Sequence, residues 1–141
     1  MNLISTFRQQ HDQITQVASD LSQHLDSGSL ATDASEVRKK LHNLLTRLKM
    51  HNSLEADALH TNLLYHKNRQ IAGEASRLMG EVAIMTEEFE QYRQYWTKSG
   101  NIECRSSDFI EETQMLLTVL LDRFNREDVY LFNRVEREVT H

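Results

Sequence analysis

The sequence predicts an all-α protein, an antiparallel up-down-up-down four-helix bundle, and three observations carry that expectation. The 141-residue chain has no proline and only four glycines, so little interrupts a helix. Apolar residues recur at every third or fourth position rather than alternating. Turn-forming residues then gather at three places, dividing the chain into four long amphipathic stretches; long helices joined by short loops pack as antiparallel neighbours. With 39% hydrophobic and 26% charged residues, the chain reads as one domain over residues 1–141 with a single core.

The first helix is expected over about residues 2–26, on the stripe Ile4, Phe7, His11, Ile14, Ala18, Leu21, Leu25. It stops at Asp26-Ser27-Gly28-Ser29, where glycine can take the left-handed conformation. The second, over about 33–64, opens with Asp33 as cap and Glu36 placed for a capping box. A connector, Tyr65-His66-Lys67-Asn68-Arg69, leads to a third helix over about 70–98, with the stripe Ala75, Leu78, Val82, Met85, Phe89, Tyr92, Trp96. Lys98-Ser99-Gly100-Asn101 ends it. Ser106-Ser107-Asp108 caps a fourth over about 107–139, with the stripe Phe109, Thr113, Leu116, Leu120, Arg123, Glu127, Leu131.

The second helix holds the unusual feature. Its stripe runs Val37, Leu41, Leu44, Leu48, His51, Glu55, Leu59, so a histidine and a carboxylate one turn apart occupy positions that should face the core. Sliding the chain on itself by 72 residues (51 to 123, 55 to 127) sets His51 on Arg123 and Glu55 on Glu127. Sliding it by 71 (11 to 82) sets His11 on Val82. Apolar matches between amphipathic helices mean little, but polar intrusions at matching depth in both halves carry information.

His11, His51, Glu55 and Glu127 can point into one level of a bundle. Imidazole nitrogen and carboxylate oxygen on facing helices is how bundles build transition-metal sites. Two histidines with two carboxylates suit iron, manganese or zinc better than magnesium or calcium. Buried ionisable groups without partners are costly, so the four are read together as one polar site.

These residues resemble the hemerythrin-like, or HHE cation-binding, domains. The family carries a histidine on the first helix, H-x-x-x-E on the second, a histidine on the third and a second H-x-x-x-E on the fourth. Here the first helix supplies Gln9-Gln10-His11-Asp12-Gln13-Ile14, and the second His51-Asn52-Ser53-Leu54-Glu55 followed by Leu59-His60-Thr61. The fourth supplies Arg123-Phe124-Asn125-Arg126-Glu127 followed by Leu131-Phe132-Asn133, with arginine where the family has histidine. The third supplies Gly80-Glu81-Val82, with valine in place of histidine, and the prolines that follow both family motifs are missing.

The resemblance implies a two-iron site in which the first- and second-helix histidines serve one metal, the other two serve the second, and the carboxylates bridge. Carried over, His11, His51, Glu55 and Glu127 form one intact half-site, while Val82 and Arg123 replace the ligands of the other. Arg123 can stand where the second metal's charge would be and pair with Glu127 or Glu55; alternatively it snorkels to the bundle end. Asp128 and Tyr130 flank the site and could support it from outside. Glu81 could swing in as a substitute ligand, or lie on an exposed face.

Two functions follow. One is a hemerythrin-like protein holding a single iron-type ion, manganese or zinc being possible, for binding or sensing oxygen, nitric oxide or a peroxide, or for iron handling. The alternative is a metal-free bundle acting as a regulatory or interaction module whose protein partner the sequence does not name.

Other classes fit poorly. A formal net charge of −5 without a dense basic block argues against nucleic acid. No apolar run is long enough to cross a bilayer and no cleavable hydrophobic segment opens the chain, so the expected location is the cytoplasm. Cys104 has no activating partner. His24, His42, His60 and His66 read as surface or boundary residues, the run around Glu87, Glu88 and Glu90 as a solvated face, and Tyr92, Tyr95 and Trp96 as core packing. No nucleophile with an adjacent base, phosphate loop or Cys-x-x-Cys is present, so the chain reads as a binding protein rather than an enzyme.

Overall fold

The structure, a computed structural model, describes residues 3–98 and 100–139. Asn2, where the first helix was expected to start, and Ser99, inside the expected third stop, lie outside them. The described residues are all-helical, with no strand among them. Helix α1 (Leu3–Ser22) buries Ile4, Phe7, His11, Ile14, Ala18 and Leu21, alternating three- and four-residue steps that keep one face inward. It stops earlier than expected, because the chain tightens where His24 N–H donates to the Leu21 carbonyl at 2.9 Å and Leu25 N–H to that of Ser22 at 3.2 Å. Leu25 is buried all the same.

Helix α2 (Ser27–Ala58) starts before the expected Asp33. Asp26 caps it, accepting from Ser29 N–H at 2.8 Å and from the Ser29 hydroxyl at 2.9 Å, which satisfies a donor that a helix end leaves free. Gly28 is therefore helical rather than left-handed. Asp33 does not cap a helix: its backbone, φ −145° and ψ 37°, marks a kink inside α2. A π-helical segment, Leu59–Leu63, follows, with the Leu64 N–H reaching five residues back to the Leu59 carbonyl at 2.8 Å.

Helix α3 (Arg69–Trp96) is capped by Asn68, which accepts from the N–H groups of Gln70 and Ile71. Gly100, at φ 88° in the left-handed region that favours glycine, turns the chain into a short α4 (Asn101–Cys104). Helix α5 (Ser106–Arg126) follows at once from Arg105, which makes no side-chain cap. The expected Ser106-Ser107-Asp108 cap is absent, since Asp108 accepts instead from the Arg105 guanidinium at 2.7 and 2.9 Å. The expected fourth helix is thus broken into α5, a second π-helical segment (Glu127–Phe132) and α6 (Asn133–Val139), and α4 lies ahead of it in the expected connector.

The π turn has a consequence for packing. Widening the helix by one residue shifts the phase of the inward stripe, and the consecutive residues Leu131 and Phe132 both face inward there. Within α5 the stripe passes through Leu117, not Leu116, which is half-buried. Phe89 and Tyr92 of α3 are also half-buried.

The interior is two apolar clusters with a polar layer between them. One gathers Ile14, Leu44, Leu48, Trp96, Phe109 and Leu120 with their neighbours. The other gathers Phe7, Leu59, Ile71, Leu78, Leu131 and Phe132. Along α1 the order is Phe7, His11, Ile14; along α2 it is Leu48, His51 and Glu55, Ala58. From α5 into the second π segment it is Leu120, Arg123 and Glu127, Leu131. Every long helix except α3 therefore brings ionisable groups to the same level, and α3 brings Val82 and Met85.

Burial phase on α5 is directly testable. Leu120 is fully buried while Leu121 is 37% exposed, so Leu120→Ala should cost about 2–5 kcal/mol and Leu121→Ala no more than about 0.5 kcal/mol in urea denaturation. Equal losses would show that the helix is rotated.

Candidate metal centre

Four side chains from three elements converge in the polar layer. His11 Nε2 lies 3.2 Å from His51 Nε2, 3.1 Å from Glu127 Oε1 and 3.6 Å from Glu55 Oε2. His51 Nε2 lies 3.0 Å from Glu55 Oε2, one turn along the same helix. One ligand atom from each of the four falls within 4.8 Å of all the others, and none of the residues is more than 2% exposed.

The outer partners fix the rings. His51 Nδ1 is 2.6 Å from Gln10 Oε1, and His11 Nδ1 is 2.9 Å from Asp128 Oδ1. Amide and carboxylate oxygens accept, so both Nδ1 atoms carry hydrogen and both Nε2 atoms turn toward the centre. Phe124 stacks on His11 with centroids 4.0 Å apart, and Phe7 meets His51 edge-on at 5.7 Å. These rings keep water off the donors and hold the imidazole planes.

The donor set passes a chemical test for one cation. None of the four carboxylate oxygens of Glu55 and Glu127 has an aligned hydrogen-bond donor; the imidazoles approach them closely without that alignment. Buried carboxylate oxygens without donors are expensive, and an ion sharing the inward Nε2 atoms would satisfy them.

Protons compete for the same position. Burial opposes charge on His11, but Asp128, Glu127 and Glu55 outweigh it and push its pKa up to about 10. Burial, and then the charge of Glu55, push Glu127 up to about 8. Burial also opposes ionisation of Glu55, yet contact with His11 and His51 holds it well below the usual carboxylate range. His51 is pushed down by burial. With only protons present, His11 is thus the cation of the cluster.

The other lobe is filled by Arg123, which is fully buried and does not snorkel. Its Nε lies 3.1 Å from Glu127 Oε2, its Nη2 donates to Asn52 Oδ1 at 2.7 Å and its Nη1 to Met85 Sδ at 3.4 Å. The guanidinium also lies over the Phe124 ring at 5.2 Å. A guanidinium offers no lone pair and Val82 is an apolar residue buried at 3% exposure, so a second ion does not fit these residues.

Of the flanking residues, Asp128 supports His11 as described. Tyr130 does not line the site: it is 54% exposed, on the outer face of the π segment. Glu81 does not swing in, because Arg77 and Arg126 hold it at 3.0 and 3.1 Å. Sequence reasoning missed the roles of Gln10, Asn52 and Phe124. Only Asn52 left a signal, as the polar member of a second stripe, Leu45, Leu48, Asn52, Leu59.

The family model described as hemerythrin HHE cation binding domain matches residues 2–135. No curated protein and no solved structure shows a significant match.

The raised groups set the pH behaviour of metal-stripped protein. A group whose folded pKa exceeds its unfolded value contributes stability that is whole below the unfolded pKa and lost as pH rises through the folded one. For His11 that window runs from about 6.5 to about 10, and Glu127, with a folded pKa of about 8, acts in the same direction. The urea midpoint should fall as pH rises across this window. Asp128→Asn, which removes the strongest support of the His11 charge, should move the end of the fall to lower pH.

Proposed function

Because the chain belongs to the hemerythrin HHE cation-binding domain family, we propose that it is a cytoplasmic binding protein, an up-down-up-down four-helix bundle that holds one iron-type ion at His11, His51, Glu55 and Glu127. The observation that carries this reading is the convergence of those four residues, two inward imidazole nitrogens facing carboxylate oxygens that no donor satisfies. Iron is the first choice, with manganese or zinc compatible with the same donors. Bound there, the ion would supply open coordination positions for a small ligand such as oxygen, nitric oxide or a peroxide, for sensing or for iron handling.

The protein's own residues do the rest. Gln10 and Asp128 set the tautomers and ring planes, and such outer partners typically matter by 10–100-fold in affinity, as an order of magnitude. Phe7, Phe124 and Phe132 exclude water around His11 and His51. Arg123 neutralises Glu127 from the other lobe and limits the site to one ion.

One observation favours a second reading, a metal-free regulatory or interaction module. His11 as a cation, with Arg123, already opposes Glu55 and Glu127, so protons alone can close the cluster.

Metal analysis of protein purified without chelator separates the two. The first reading expects about one equivalent per chain, lost in His51→Ala. The second expects none, with melting unchanged by chelator. Two equivalents would refute the half-site. In metal-stripped protein Arg123→Met should cost roughly 3–5 kcal/mol above about pH 8, where Glu127 is ionised and loses its counter-charge, and less at lower pH, where it takes a proton.

A further inference from the structure

Beside the polar layer, between α2 and α3, lies a cleft of about 340 Å³, within the size range of small-molecule sites. Asn52 lines it and is only 3% exposed. The orientation of its amide follows from its partner. A guanidinium can only donate, so Asn52 must give Oδ1 to Arg123, which leaves its amino group, Nδ2, for the cleft. That amino group makes no hydrogen bond among the described residues and is not among the buried polar atoms sealed without a partner, so it stays open to an occupant.

The remaining lining grades outward from apolar to positive. Leu45, Leu48 and Phe89 form the walls with Thr86, whose hydroxyl donates to the Val82 carbonyl, and Lys49, Glu90 and Arg93 stand at the rim. Glu90 is taken up by Arg93, whose Nε donates to it at 3.0 Å and whose Nη2 makes a second, shorter bond. Lys49 makes no direct ion pair among the described residues, although its charge also acts on Glu90, so two cations share one carboxylate and the rim is positive by one charge.

We propose that this cleft binds a small organic monocarboxylate with an apolar, ring-sized body and an acceptor oxygen at its far end. The carboxylate meets Lys49 at the rim, the body fills the space against Leu45, Leu48 and Phe89, and the acceptor takes the free Asn52 Nδ2–H. The site is separate from the histidine–glutamate centre and does not depend on an ion there. It touches that centre through one shared chain: an occupant polarises the Asn52 amide, which holds Arg123, which faces Glu127.

The probe is 4-acetylbenzoate, titrated into the full chain and followed by calorimetry and by amide chemical shifts. Saturable binding is expected, with shifts centred on α2 and α3 around Lys49, Asn52 and Phe89. Lys49→Glu, at an exposed position, should weaken binding at least about tenfold, a difference of 1.4 kcal/mol. Asn52→Asp should weaken it by at least a similar factor, since it keeps an oxygen for Arg123, removes the donor facing the cleft and adds a negative charge there. The methyl ester, which lacks the charge, and benzoate, which lacks the acetyl oxygen, should each bind more weakly than the probe.

Absence of saturable binding, or an ester that binds as well as the acid, would overturn the proposal, as would affinity unchanged in both variants. A carboxylate can also ligate a metal ion, so the titration is repeated after chelation. Unchanged affinity supports the cleft, and affinity lost with the metal places the probe elsewhere and overturns it.

Discussion

The fold depends on how five ionisable side chains are kept inside a helical interior. His11, His51, Glu55, Arg123 and Glu127 are all at most 2% exposed, in a layer between two apolar clusters. Each ionised group moved out of water costs several kcal/mol unless it is matched. The layer is held together by cation and acid alternating at contact distance, Arg123 against Glu127 and His11 against Glu127 and Glu55, with the His51 imidazole against Glu55. The apolar clusters above and below then fix how closely the helices approach and how far these groups can move.

The layer is lopsided, and its chemistry follows from that. On one side two imidazoles, oriented by Gln10 and Asp128, face carboxylate oxygens without donors. That side asks for a cation, and a proton on His11 or a metal ion can answer. On the other side Arg123 supplies a permanent one, tied to Asn52 and Met85. Because the guanidinium cannot lose its proton, one lobe is exchangeable and the other is not.

The backbone accommodates this layer by breaking regularity just beyond it. Both π-helical segments lie near a buried glutamate: Leu59–Leu63 follows Glu55 by one turn, and Glu127–Phe132 begins at Glu127 itself. Wider turns there bring Leu59, Leu131 and Phe132 into the second apolar cluster, closing the layer from below. Phe132 then stacks beside His11 and Phe7, so the same irregularity that seals the core also positions rings against the donors.

Residue periodicity alone determined the helical class, the inward face of α1 and α2, and the depth at which polar groups enter, because a period near 3.6 depends only on the order of residues along one helix. His11, His51, Glu55 and Glu127 were legible for that reason, whereas the replacement of two family ligands by Val82 and Arg123 followed from the family resemblance and not from the period. Helix ends were not: Asp26 and Asp33 have the same capping chemistry, and packing decided that the first starts α2 and the second only kinks it. Whether Arg123 turns inward or reaches solvent, and that Gln10 and Asn52 hold His51 and Arg123, are contacts between residues 41 and 71 positions apart in the chain. A single helix leaves no trace of such pairings, so only the tertiary structure decided them.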